Sequence, residues 1–144
     1  MRPKSIQRFD QFYLGALVVG LVNTAVTWNV TMAQLQAQPA TAAIATPMII
    51  GTTVLSIGIS LLLWFFTSRM RSTVTKWIIT VFFVFGALMV VWSLLNGQFP
   101  SVIGTVLALL ATVMQGIAVY MLFQPDAVAW FKGEPTGDPA TPFE

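Results

Sequence analysis

Long apolar runs separated by short polar stretches dominate the chain. Four of them are about 20 residues long, which is the length of helix that crosses a ~30 Å hydrocarbon layer. They carry no Asp, Glu, Lys or Arg apart from Lys76, at the edge of the third run. Unbroken apolar runs favour helices over the alternating pattern of a membrane barrel, so they predict an all-α bundle. We place the four predicted spans at residues 12–31, 48–67, 75–95 and 101–123.

Residues typical of helix ends punctuate these runs. Thr46 and Pro47 are suited to be the N-cap and first residue of the second helix. Asn96 and Gly97 are suited to end the third helix before Pro100 opens the fourth, which predicts a tight hairpin. The longer segment 32–46, rich in Ala, Gln and Thr, has the composition to extend the first helix beyond the membrane.

A short amphipathic segment follows the fourth span. Pro125 and Asp126 predict the start of a helix at 125–131, with Ala127, Trp130 and Phe131 on one face. We expect it to lie on the inner membrane surface and to complete a transmembrane domain of residues 1–131. Residues 132–144 are rich in Pro, Gly and acidic residues, a composition that predicts a flexible tail.

The basic residues predict the orientation of the bundle. All seven fall on one side of the predicted spans, whereas the connections 32–47 and 96–100 carry no charge. By the positive-inside rule, both termini are expected in the cytoplasm of a bacterial inner membrane. The clusters are short and lie beside apolar runs, so we interpret them as topology signals and not as a nucleic-acid surface. The residues are Arg2, Lys4, Arg8, Arg69, Arg71, Lys76 and Lys132.

Small side chains recur at helical spacing in three spans and predict close helix packing. The third span is bulkier, with Phe82, Phe83, Phe85 and Met89, so we expect it to face lipid or a bulky partner. The stripes either hold the monomer together or form an interface with another membrane subunit or a second copy. They are Gly104, Ala108, Thr112 and Gly116 in the fourth span, Thr52, Ser56 and Ser60 in the second, and Ala16, Gly20 and Thr24 in the first.

Polar residues at membrane depth are the second signal. Asn23, Thr24 and Thr27 lie in the first span and Gln115 lies in the fourth. Hydrogen bonds between helices are the ordinary role of such residues. The alternative is that Asn23 and Gln115 line a small polar path or contact a pigment, a quinone or a lipid head group.

The composition excludes several classes of function. Of the 144 residues 56% are hydrophobic and 8% are charged, so the chain is expected to use membrane lipids as its solvent. It has neither Cys nor His, which excludes thiol chemistry and histidine-ligated haem or zinc. Proton-coupled transporters generally need an ionisable residue within the membrane. The predicted spans carry only Lys76, at the edge of the third, so we do not expect this class of transporter. Asp10 and Asp126 are single carboxylates at a membrane edge, so we expect no enzyme, no metal and no cofactor.

Short motifs flank the bundle at both ends. They are Arg2-Pro3-Lys4-Ser5-Ile6, Phe9-Asp10 and Tyr13-Leu14-Gly15 at the start, and Leu122-Phe123-Gln124-Pro125 and Ala129-Trp130-Phe131 at the end. With these motifs the chain resembles a group of small four-helix proteins of proteobacterial inner membranes, in layout over its whole length. The resemblance implies a location, and it carries over neither an activity nor catalytic residues.

Three functional hypotheses follow from these observations. The first is a non-catalytic accessory or assembly subunit of a larger membrane complex, acting through helix packing. The second is a small oligomeric channel or uncoupled transporter in which Asn23, Thr27 and Gln115 face a pore. The third is a holder of a lipid, quinone or pigment, which requires a groove lined by Met and aromatic side chains.

Overall fold

The computed structural model describes residues 2–97 and 101–133, and it confirms the predicted all-α membrane bundle. Within this part of the chain, four helical stretches are long and apolar enough to cross a membrane, namely Lys4–Val26, Ala42–Ser68, Thr73–Leu95 and Val102–Met121. The chain is therefore a membrane protein. Its elements are α1 (Lys4–Val26), α2 (Trp28–Gln36), a 3₁₀ turn (Ala42–Ile44), α3 (Ala45–Ser68), α4 (Thr73–Leu95), α5 (Val102–Met121) and α6 (Pro125–Lys132).

The four long helices form a ring in which each contacts two neighbours. α1 lies between α3 and α5, and α4 lies between the same two helices on the other side. The pair α1 and α5 is packed far more closely than any other, whereas α3 makes only sparse contacts with α1 and α4. The interior is consequently tight on the α1–α5 side and loose around α3.

The buried apolar core lies at one end of this ring. We call it the basic end, because the start of α1, the connection between α3 and α4, and α6 bring the basic residues together there; the other end is the uncharged end. Ala127 and Trp130 of the predicted C-terminal helix pack into the core. The apolar face of α6 therefore covers the bundle itself, where we had expected a membrane surface. The core residues are Ile6, Phe9, Ile79, Ala118, Val119, Leu122, Ala127 and Trp130.

Two helix starts differ from the sequence prediction. α1 begins at Lys4 and not at residue 12, because Ile6 and Phe9 are fully buried in the core and hold the first turns in place. α3 begins at Ala45, so Thr46 is a helical residue and not the N-cap. The preceding 3₁₀ turn leads directly into α3, and Pro47 falls in the first turn, where its missing N–H leaves no helical bond unmade.

The first helix bends at Thr27 and continues as α2 to Gln36, in line with the predicted extension of the first helix. The Thr27 hydroxyl donates to the Asn23 carbonyl at 2.8 Å. The backbone of Thr27 itself departs from helical values, with a φ of −91° and a ψ of 3°. The backbone bonds from Thr27 N to Asn23 O and from Thr31 N to Thr27 O persist, each at 2.9 Å, so the chain bends without stopping.

The other predicted turn residues lie at or near the ends of helices. Asn96 is the C-cap of α4, and Gly97 follows with a φ of 64°, which glycine adopts without strain. The Ser101 hydroxyl caps α5 by accepting from the Gly104 N–H at 3.0 Å. Pro100 and residues 134–144 of the predicted tail lie outside the described residues.

Candidate binding crevice

A polar crevice runs along the inner face of α3, where this helix stands away from its neighbours. It consists of three adjoining cavities of about 380, 400 and 330 Å³. The first two share the lining residues Thr52, Ser56, Ser60 and Gln115. The second and third share Thr24 and Thr52, and so continue the crevice toward the uncharged end.

Three polar side chains on the wall of the first cavity are available to a ligand. In the part of the chain that the structure describes, the side chains of Ser56, Ser60 and Gln115 make no hydrogen bond. Thr24 and Thr52, which also line the crevice, differ, since Thr24 donates to the Gly20 carbonyl at 3.1 Å and Thr52 to the Met48 carbonyl at 2.8 Å. An unpaired hydroxyl or amide in a membrane is costly, so these three groups favour a hydrogen-bonding occupant.

The first cavity opens sideways toward lipid between α3 and α4. Leu55 and Phe82 line it, and they are 63% and 56% exposed on the outer surface of the bundle. Phe83 forms part of the same wall and lies against Gly116 of α5, where an added Cβ would be 3.2 Å from the ring. The mouth is therefore apolar and aromatic, while the polar groups lie on α3 and α5.

The crevice is closed at the basic end. Ile79 and Val119 line the first cavity and also belong to the buried core. Tyr13 spans the gap from α1 to α3 by donating its hydroxyl to the Ser60 carbonyl at 3.2 Å. The crevice consequently ends against packed side chains within the bundle.

The other predicted packing residues lie on α1 and α5. Ala16 is buried and borders the second cavity of the crevice. A Cβ added to Gly104 would lie 2.6 Å from the Thr27 methyl and 3.4 Å from Asn23 Oδ1, so this glycine permits the close approach of α1. Ala108 and Thr112 are half-buried beside each other, and the Thr112 hydroxyl donates to the Ala108 carbonyl at 2.8 Å.

The stripe on α3 behaves differently from those on α1 and α5. Thr52, Ser56 and Ser60 were expected in a close helix contact, but they line the crevice. Gly20 also lines the crevice, with no atom within 4 Å of an added Cβ. Bulky side chains line the first cavity, since Phe82 and Phe83 border it and the Phe83 ring lies against Gly116. Small side chains allow close approach but do not enforce it.

No protein-family model, curated protein or solved structure matches this chain.

The predicted polar residues are separated by the structure. Gln115 and Thr27 line the crevice, although in different cavities. Asn23 lies at the α1–α5 contact, where its Oδ1 is buried and has no partner among the described residues. Asn23 and Gln115 therefore do not share one polar path.

Sequence reasoning did not select Tyr13 or Gly15 for a role inside the bundle. A Cβ on Gly15 would lie 2.6 Å from the terminal methyl of Met114, so this position also needs glycine unless Met114 moves. Gly15 precedes Ala16 and forms with it a pair of small residues, which was the available signal. Tyr13 had only its place near a membrane edge, and that suggested an interfacial aromatic residue.

Two carboxylates at the basic end accept hydrogen bonds that join neighbouring helices. Asp10 accepts from Arg2 at 2.8 Å and from the Trp64 indole N–H at 2.8 Å, which links α1 to α3. Asp126 accepts from the Ser5 hydroxyl at 2.7 Å and from the Ser5 N–H at 3.1 Å, which fastens α6 to α1. Partial burial acts to raise the pKa of Asp126, but these bonds and nearby backbone N–H groups outweigh it and hold the pKa below the ordinary value.

Proposed function

We propose that the protein holds an uncharged amphipathic molecule of the membrane, such as a neutral lipid or a quinone, in the crevice beside α3. The observation that carries this proposal is the set of three unpaired polar side chains, Ser56, Ser60 and Gln115, on the walls of a cavity of about 380 Å³ that opens to lipid. A few polar groups in an otherwise apolar pocket of this size are typical of small-molecule sites.

The chemistry of the walls favours an uncharged ligand. The lining includes no Asp, Glu, Lys or Arg among the described residues, so an ion in the crevice would have no counter-charge. Two hydroxyls and a primary amide both donate and accept hydrogen bonds, which suits a ketone, ester or hydroxyl group. Phe82, Phe83 and Leu55 at the mouth suit the apolar part of such a molecule.

The shape of the crevice favours holding over conduction. A pore needs a continuous path, whereas this crevice ends at the Tyr13–Ser60 hydrogen bond and the core beneath it. The hypothesis of an oligomeric channel had Asn23, Thr27 and Gln115 facing a pore, whereas Thr27 and Gln115 line the crevice and Asn23 lies at the α1–α5 contact. The accessory-subunit hypothesis stays a prediction, and the experiment below separates it from a ligand-holding function.

The proposal is tested by extracting the full chain with its surrounding lipid in copolymer nanodiscs and identifying retained small molecules by mass spectrometry. Ser56→Leu fills the crevice and is expected to reduce the retained neutral molecule about tenfold. Gly58→Leu is the matched control, because it adds a leucine to the same helix at a site with no atom within 4 Å of the new Cβ. Its retention is expected to equal that of the unaltered chain.

Three results would contradict the proposal. They are retention of the same neutral molecules by Ser56→Leu, an ion flux in vesicles that Ser56→Leu abolishes, and recovery of a stoichiometric protein partner with no retained molecule. The second result would support the channel hypothesis, and the third would support the accessory-subunit hypothesis.

A further inference from the structure

Lys76 is a buried cation without a counter-ion. It lies in the first turns of α4 and is only 7% exposed. Its ammonium lies 4.0 Å from the centre of the Phe123 ring and 5.5 Å from that of Phe131. Among the residues that the structure describes, it has no carboxylate within ion-pair distance and no hydrogen-bond acceptor. Aromatic faces attract an ammonium but leave its hydrogen-bond donors unused.

Further positive charge lies at the same end of α4. The Arg71 guanidinium lies 3.8 Å above the Trp130 ring, beside Phe131 in α6. The N-terminus of α4, capped by Ser72, contributes the positive end of a helix of 23 residues with no acidic residue in its first turn. Side chains on a helix tilt toward its N-terminus, and Lys76 and Arg71 lie against neighbouring aromatic residues of α6, Phe131 and Trp130.

The carboxylates of the described residues are engaged elsewhere. Asp10 is bound by Arg2 and Trp64, and Asp126 is bound by Ser5. Neither reaches Lys76 or Arg71. The two cations at this helix N-terminus therefore have no carboxylate partner among the described residues, and a helix N-terminus itself favours an anion.

We propose that Lys76 and Arg71 bind the phosphate of an anionic phospholipid at the basic end. The surrounding surface fits a lipid better than a soluble anion, because exposed aromatic side chains continue from the site along the outside of the bundle. Trp77 is exposed and packs edge-on against Phe123, with ring centres 5.6 Å apart. Their faces provide a path for an acyl chain below the bound phosphate. This site is separate from the crevice and does not depend on it.

The test measures phospholipid retained by the full chain, purified in neutral detergent, by native mass spectrometry. Phosphatidylglycerol is expected to be retained at least about fivefold more than phosphatidylcholine with the same acyl chains, because choline neutralises its own phosphate. Lys76→Gln is expected to lose this preference, and Lys76→Arg to keep it. Lys4→Gln removes the same charge from an exposed position in α1, and we expect it to change retention less than about twofold.

Folding is controlled with Lys76→Met, which keeps an unbranched side chain between the two rings. It is expected to unfold at the temperature of the unaltered chain or above, and yet to lose phosphatidylglycerol as Lys76→Gln does. Unchanged retention in both variants would overturn the proposal. An equal loss of phosphatidylglycerol in Lys4→Gln would also overturn it, because it indicates an effect of diffuse charge. Complete displacement of the lipid by millimolar inorganic phosphate would do so too, because it indicates a site for a soluble anion.

Discussion

The basic end and the crevice are built from the same four helices, yet they differ in how the helices are held. At the basic end, side-chain hydrogen bonds join α1 to α3 through Asp10 and α1 to α6 through Asp126. Phe9 and Leu122 are fully buried between these links. Halfway along α3, by contrast, Ser56 has no partner among the described residues and faces open space.

The difference follows from what drives packing in lipid. Apolar side chains lose little by facing hydrocarbon, so helices associate only where shapes interlock or polar groups pair. The basic end has both kinds of contact, and the α1–α5 pair has interlocking shapes at Gly15 and Gly104. α3 has neither along its middle, which leaves it free to border a ligand site.

The largest expected effect comes from breaking the basic end. Phe9→Ala leaves a cavity in the core, because the Phe9 side chain is 0% exposed. We expect the free energy of unfolding to fall by about 3 kcal/mol, the lower part of the range for buried aromatic residues, since lipid also solvates the separated helices. Thermal or denaturant unfolding in detergent, followed by circular dichroism, measures this change.

Phe82→Ala is the matched control for that variant. The same atoms are removed, but Phe82 is 56% exposed at the mouth of the crevice. We expect the free energy of unfolding to change by less than about 0.5 kcal/mol. Equal losses in the two variants would show that the crevice is as tightly packed as the basic end.

A smaller effect is expected at the α1–α5 contact. In Gly104→Ala the new methyl would be 2.6 Å from the Thr27 methyl and 2.9 Å from the Ser101 hydroxyl, so the helices have to separate. We expect a loss of about 2 kcal/mol from overpacking, measured by the same unfolding assay. Gly58→Ala, where the added Cβ meets no atom within 4 Å, is expected to gain up to about 1 kcal/mol from helix propensity. A neutral Gly104→Ala would show that α1 and α5 are not in close contact.

The sequence predicts the helices better than it predicts their contacts. The four spans and the C-terminal helix follow from apolar length and period, which are local properties, and the structure confirms them. Starts such as Lys4 and Ala45 depend on core burial and on the preceding 3₁₀ turn, which are not local. They were consequently missed.

The sequence singled out residues of the crevice, but it did not predict that they line a cavity. Gln115 and Ser56 were selected because they are polar or small within an apolar helix. Such residues also fit a close contact between helices. Whether they pack there or line a crevice depends on the bulk of the opposing side chains. Phe83 is one such side chain, since it lines the same cavity as Ser56 and Gln115 and lies against Gly116. That pairing depends on the mutual rotation of two helices, which apolar periodicity alone does not define.

Acidification is expected to loosen α6 and leave the rest of the bundle in place. Because the pKa of Asp126 is lowered in the folded protein, its contribution is fully present above the ordinary value of 3.8 and is lost as the pH falls below it. Hydrogen exchange of the α6 amides, corrected for the intrinsic rate, is therefore expected to accelerate as the pH falls below 3.8. Asp126→Asn removes the titrating group and is expected to abolish this acceleration. Persistence of the acceleration in that variant would assign it to another group.

The smallest expected effect on stability is at Gln115, and it distinguishes a binding site from a structural one. If the amide served to join helices, Gln115→Leu would cost about 0.6 to 2 kcal/mol. Since the side chain has no hydrogen bond within the described chain and faces two cavities, we expect a change within about 0.5 kcal/mol in lipid-free detergent. In nanodiscs that retain the bound molecule, the same variant is expected to lose the additional stability that the ligand gives the unaltered chain. A loss of similar size with and without ligand would instead place Gln115 among the groups that hold the helices together.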